Sequence, residues 1–102
     1  MLRTLDLDAR VRVKIETSFS AVCPVTGTED GYTAVIEYEG RGRYLELVSL
    51  RRYLEQFKGQ RWFHEELCEK IARDLAAALG TPVKVTLRTN FQGVLVEVEK
   101  VA

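Results

Sequence analysis

The apolar residues of this chain change period twice, and that change limits the possible fold more than any other feature. Val11, Val13 and Ile15 alternate with Arg10, Arg12, Lys14 and Glu16, the period-two pattern of a strand with one buried face. From Tyr32 to Tyr38 the chain is rich in β-branched and aromatic residues and ends at Gly40 and Gly42, which predicts a second strand antiparallel to the first. After Glu46 the repeat turns helical: Leu47, Leu50, Leu54 and Phe57 recur at three- and four-residue steps, with Ser49 as a candidate cap and Gly59 as a stop. A longer helix follows, because Phe63, Leu67, Ile71, Leu75 and Leu79 stand four apart until Gly80 and Pro82 end the pattern, which leaves Arg73 and Asp74 facing water. Period two then returns in Val83, Val85 and Leu87 and, after a turn near Asn90 to Gly93, in Val94, Val96 and Val98. Two strands, two helices and two strands predict an α+β layer, an antiparallel four-stranded sheet with both helices on one face.

With 102 residues and no linker, repeat or low-complexity stretch, the chain is expected to form a single domain over residues 1–102. A core of this size stabilises only marginally, so subunit contacts are expected to help. Fifteen Lys and Arg balance fifteen Asp and Glu, which argues against a polyanion-binding field over the whole molecule. Charge is uneven, however: between Arg41 and Arg61 six bases face two acids, an excess that suits either a solvated face or a phosphate track. No stretch matches a membrane span or a signal peptide, so a cytoplasmic protein with reduced cysteines is expected. Basic residues lean to arginine and amides are few, a bias found in heat-adapted proteins.

The segment from Ser18 to Asp30, rich in Ser, Thr, Gly and Pro, is expected to be a structured loop, and Cys23 lies in it. A lone cysteine is more often a small buried hydrophobe than a reactive group. Here it opens the run Cys23, Pro24, Val25, Thr26, Gly27, Thr28, Glu29, Asp30, with a carboxylate seven residues on. That run, together with Glu46, Ser49 and Tyr53 and the triplet Phe63, His64, Glu65, resembles the QueF family of 7-cyano-7-deazaguanine nitrile reductases. The resemblance covers about residues 18–79. It implies the tunnelling fold, in which sheets of several subunits join into a barrel with active sites between subunits, and hence a homo-oligomer, a pentamer or paired pentamers.

One stretch departs from the reductases. Where they carry a nicotinamide-cofactor motif, Glu-Ser-Lys-Ser-hydrophobic-Lys-Leu-Tyr or a close variant, this chain reads Glu46, Leu47, Val48, Ser49, Leu50, Arg51, Arg52, Tyr53. One ammonium is lost at Val48 and the other is replaced by Arg51, which is not its equivalent toward phosphate. NADPH is therefore not expected as a cofactor. The departure and the short chain resemble the QueF-like branch known from archaea, which adds ammonia to the nitrile within tRNA to form the amidine of archaeosine. The implied partners are tRNA carrying the cyano base, and ammonia.

The residue types suit that chemistry. A thiolate adds to a nitrile carbon to give a thioimide, which makes Cys23 the nucleophile. The nitrile nitrogen becomes basic as sulfur adds, so a nearby acid must protonate it; Asp30 is the candidate, with His64 assisting. A carboxylate can accept the paired N–H groups of a guanine-like edge, the role expected of Glu65, while Phe63 offers a stacking face and Glu46 and Ser49 further polar contacts. Blander readings stand beside these: His64 and Glu65 would also suit an ordinary helix start. Cys68, four residues after His64, raises a zinc site with Cys23 and His64, against which stands simple packing beside Leu67 and Ile71. Trp62 and Tyr53 are candidate interface anchors.

Overall fold

The computed structural model describes residues 1–102. Strands β1 (Thr4–Asp6), β2 (Arg12–Val22), β3 (Glu29–Glu39) and β4 (Arg43–Leu45) precede helices α1 (Leu47–Glu55) and α2 (His64–Leu79), and strands β5 (Val83–Phe91) and β6 (Val94–Val101) close the chain. The main sheet runs β2-β3-β5-β6 with every neighbouring pair antiparallel. Period two places Phe19 and Ala21 of β2, Tyr32, Ala34, Ile36 and Tyr38 of β3, and Val83, Val85 and Leu87 of β5 on one face, where they meet Leu50 and Leu54 of α1 and Leu67, Ile71 and Leu75 of α2 in one core. This is the α+β layer that the periodicities predict. No helix is long and apolar enough to cross a membrane.

The segment 18–30 is mostly strand rather than loop. β2 continues to Val22 and pairs residue for residue with β3, which begins at Glu29, so only six residues remain as the turn. Its polar composition is misleading because Ser18 and Ser20 occupy the open face while Phe19 and Ala21 keep the alternation going on the core face. A two-stranded ribbon, β1 against β4, was not expected; three-residue strands are too short to show a period. Gly40 sits at this corner because the Tyr44 ring lies where its Cβ would be, 2.1 Å away. The β5–β6 hairpin turns through Gln92 and Gly93, both at positive φ (52° and 89°), as a two-residue primed turn requires.

Four smaller expectations need correction. Ser49 is not the cap of α1: Glu46 is, its carboxylate accepting from the N–H groups of Val48 (2.6 Å) and Ser49 (2.9 Å). Asp74 does not simply face water, since it accepts a 2.6 Å hydrogen bond from the Tyr53 hydroxyl, and Tyr53 is a buried bridge between the helices rather than an interface anchor. The basic excess is not one patch. Arg41 and Arg43 lie with Asp6 where α2 ends, whereas Arg61 lies over the turn after Val22, at the opposite end of eleven-residue strands that span about 30 Å.

Candidate active site

The site lies at the sheet end where β2 turns into β3. The turn is tied across its neck by the Cys23 N–H to the Thr28 carbonyl and the Gly27 N–H to the Cys23 carbonyl, both 2.9 Å. Gly27 takes φ +71°, which few side-chain-bearing residues adopt, and Arg61 packs beside it. The segment between the helices is stitched to β2 through the Val22 N–H to the Gln60 carbonyl (2.8 Å) and the Trp62 N–H to the Val22 carbonyl (3.1 Å). That stitch brings the start of α2 against the turn. Phe63 is the N-cap in extended conformation without a side-chain cap, and Glu65 and Glu66 fill the first turn, where the helix dipole favours acids.

Together these elements enclose a hollow of about 290 Å³. The turn supplies Cys23, Pro24 and Val25, β3 supplies Asp30, the entry to α2 supplies Trp62, Phe63, His64 and Glu65, and the end of β5 supplies Phe91. Five residues expected to act together, Cys23, Asp30, Phe63, His64 and Glu65, therefore meet in one place. Glu46 and Ser49 do not join them within the chain. They lie at the far end of α1, where Ser49 donates to the Glu46 carbonyl and accepts from the Arg3 N–H, each at 2.9 Å.

Cys23 is nearly covered, at 7% exposure, yet its thiol is held below the ordinary value. The Thr26 hydroxyl is the main cause, followed by the Thr26 N–H; the Val25 N–H adds to them, while burial and the charge of Asp30 oppose. Thr26 can direct its proton at the sulfur because its oxygen accepts from the Thr28 N–H (3.3 Å) and lies 2.6 Å from the Thr28 hydroxyl. The turn is thus a small anion cradle, and the Thr-Gly-Thr sequence after Pro24 is the reason. Asp30 is 9% exposed, and His64 Nε2 stands 3.6 Å from Glu65 Oε1.

Cys68 is built differently. It packs in the core between α2 and the sheet, its thiol donating to the Val85 carbonyl at 3.3 Å, and burial pushes it up to about 11. Cys23, His64 and Cys68 do not converge as a metal site. The stretch altered from the reductase motif is occupied internally: the Arg51 guanidinium donates to Thr17 Oγ1 (3.0 Å) and the Ser18 carbonyl (2.5 Å) and approaches Glu55, and Val48 is an exposed apolar side chain. Among the other residues of the hollow, Pro24 and Val25 come with the Cys23 run, Trp62 was expected as an interface anchor, and Phe91 carries no local signal. Phe91 arrives through the β3–β5 register, which sets Tyr32 opposite Thr89.

Known proteins share this architecture. The model of the QueF-like protein family matches residues 30–97. An NADPH-dependent 7-cyano-7-deazaguanine reductase from Frankia casuarinae is 42% identical over 86 residues, covering 84% of this chain and 67% of that protein. An archaeosine synthase from Pyrobaculum calidifontis is 33% identical over 87 residues, covering 84% of this chain and 80% of that protein. The crystal structure of an archaeosine synthase described as QueF-Like, in the apo form, superposes with a TM-score of 0.85 at 30% identity, covering 89% of this chain and 92% of the other.

Proposed function

This chain belongs to the QueF-like family, and from that premise we propose that it converts the nitrile of 7-cyano-7-deazaguanine in tRNA to the amidine of archaeosine, with ammonia as the nitrogen donor. The observation that carries the reading is the meeting of an acidified Cys23 with Asp30, His64 and Glu65 in one hollow. The Cys23 sulfur adds to the nitrile carbon, one π pair moves to nitrogen, and Asp30, assisted by His64, supplies the proton that gives a neutral thioimide. Ammonia then adds to the same carbon. The carbon–sulfur bond breaks, the thiolate leaves, and a proton passes from the added nitrogen through Asp30. Nitrile plus ammonia gives amidine with no electrons transferred, so no reductant is required. Glu65 accepts the paired N–H groups of the base and Phe63 stacks on it. The sheet ends in β2, covered near Val22 by residues 60–62 and at Ser18 by Arg51, and in β6, and we assign a homo-oligomer, a pentamer or paired pentamers, with the hollow completed by a neighbouring subunit.

The runner-up is NADPH-dependent reduction of the free cyano base, favoured by the 42% identity to the Frankia casuarinae reductase. Against it stand the missing ammonium at Val48 and the internal engagement of Arg51. Single turnover on tRNA carrying the cyano base, with ammonium and without NADPH, separates the two. Amidine is expected. Absence of amidine, with steady NADPH oxidation on the free base, would overturn the proposal.

A further inference from the structure

One polar group beside the hollow has no task in the mechanism above. The Tyr32 hydroxyl is fully buried and makes no hydrogen bond, the sole buried side-chain polar atom of which this is true. Such a group destabilises the folded protein, and one left beside a reactive site calls for a partner that arrives later. Packing determines where it points. Tyr32 is paired with Phe19 across β2 and β3, and the two rings stack with centroids 5.3 Å apart and 20° between planes. Two residues before it on the same face of β3 is Asp30. Asp30 is the charged group that bears most on the hydroxyl, ahead of Cys23 in the turn and Glu65 on α2; burial is the main reason its proton is held, to about 12. The hydroxyl therefore stays a donor at any working pH.

We propose that Tyr32 is a positioning residue: once substrate fills the hollow, its O–H donates to one oxygen of the Asp30 carboxyl and fixes the other, which carries the proton, toward the nitrile nitrogen. This rests on the reading of Cys23 and Asp30 given above. A base seated on Glu65 and Phe63 closes the hollow that Asp30 lines, and the carboxyl must then take its hydrogen bonds from the protein or the base. Tyr32 is a donor already desolvated and already held in place by Phe19. The titratable groups facing Asp30 are Cys23 from the turn, His64 and Glu65 from α2, and Tyr32 from β3 itself.

The test is Tyr32→Phe, which keeps the ring and its stacking and removes only the oxygen. Thioimide formation with the free cyano base is followed by absorbance under single-turnover conditions from pH 5 to 9, with intact mass to place the adduct and a melting curve as a control. The acid limb of the saturating rate reports the loaded site and that of the rate at low substrate the free protein, so loss of a donor that acts only in the loaded site shifts the first limb and leaves the second in place. A fall of roughly tenfold in the saturating rate near neutral pH is expected, with an unchanged or higher melting temperature, since the hydroxyl has no partner in the free protein. An unchanged saturating rate and limb would overturn the proposal. So would a lower melting temperature accompanying the slower rate, because the hydroxyl would then be a structural group. If wild-type protein forms no Cys23 adduct, it is the reading of the site that fails, a result separate from identical adduct formation in both proteins.

Discussion

Cys23 and Cys68 are the same side chain, both nearly hidden from water, and the protein treats them in opposite ways. Around Cys68 the thiol donates to the carbonyls of Val85 and Val98, and burial raises it further than the backbone N–H groups of Leu87 and Lys100 lower it. Around Cys23 the nearest partners are the Thr26 hydroxyl and the N–H groups of Val25 and Thr26, all donors, which favour the anion. Coverage alone therefore says little about reactivity. The balance between desolvation and donors decides it: burial prevails at Cys68, whereas at Cys23 a donor-lined turn replaces part of the hydration that an anion loses.

The largest effect that could break this contrast is removal of each sulfur. Cys23→Ala is expected to abolish both thioimide and product. Cys68→Ala is expected to keep the adduct rate within about twofold and to lower stability by about 1 kcal/mol, the effect of a small cavity. Product from Cys23→Ala, seen by mass spectrometry of digested tRNA, would end the comparison. Next in size is labelling by iodoacetamide at pH 7 in the folded protein. Cys23 should react at least about a hundredfold faster than Cys68, which must wait for local unfolding, and peptide mapping reads the ratio.

Thr26→Val sharpens the contrast by removing the main donor. The alkylation midpoint of Cys23 should rise toward the ordinary thiol value of 9.0, with an adduct rate at neutral pH lower by about fivefold. An unmoved midpoint would assign the cradle to backbone N–H groups alone. The smallest effect is on stability at alkaline pH. Folded Cys68 holds its proton up to about 11, whereas the unfolded chain releases it near 9.0, so its contribution is complete below 9.0 and is lost as pH rises through that window. Folded Cys23 releases its proton earlier than the unfolded chain, so its contribution is complete above 9.0 and is lost as pH falls through its lowered value. In urea melts from pH 7 to 11, Cys68→Ala should flatten the alkaline fall, and Cys23→Ala should remove an opposing rise.

Most of the architecture was legible in the chain. Long, cleanly periodic segments such as Phe63 to Leu79 and Val83 to Val98 carry their own burial pattern, and the structure follows them. Errors fell where composition and register disagree. Ser18 to Val22 looks like a loop by composition and is a strand because Glu29 to Thr33 pairs with it. Arg41 and Arg61 share a stretch of sequence and lie at opposite ends of the sheet. The hollow is intermediate: Cys23, Asp30, Phe63, His64 and Glu65 could be named from their motifs, while Phe91 and the orphaned hydroxyl of Tyr32 could not.

The sequence by itself determined the periods, and with them the layered α+β arrangement, together with the turn chemistry of Cys23 to Thr28, because these depend on neighbours within a few residues. Tertiary structure decided which groups share the hollow. The stitch of Val22 to Gln60 and Trp62, the β3–β5 register and the stacking of Tyr32 on Phe19 join residues from 13 to 57 positions apart. Such pairings close only when the sheet and helices pack together, so the meeting of the thiol with its carboxyl partner and the buried hydroxyl is a product of assembly rather than of local pattern.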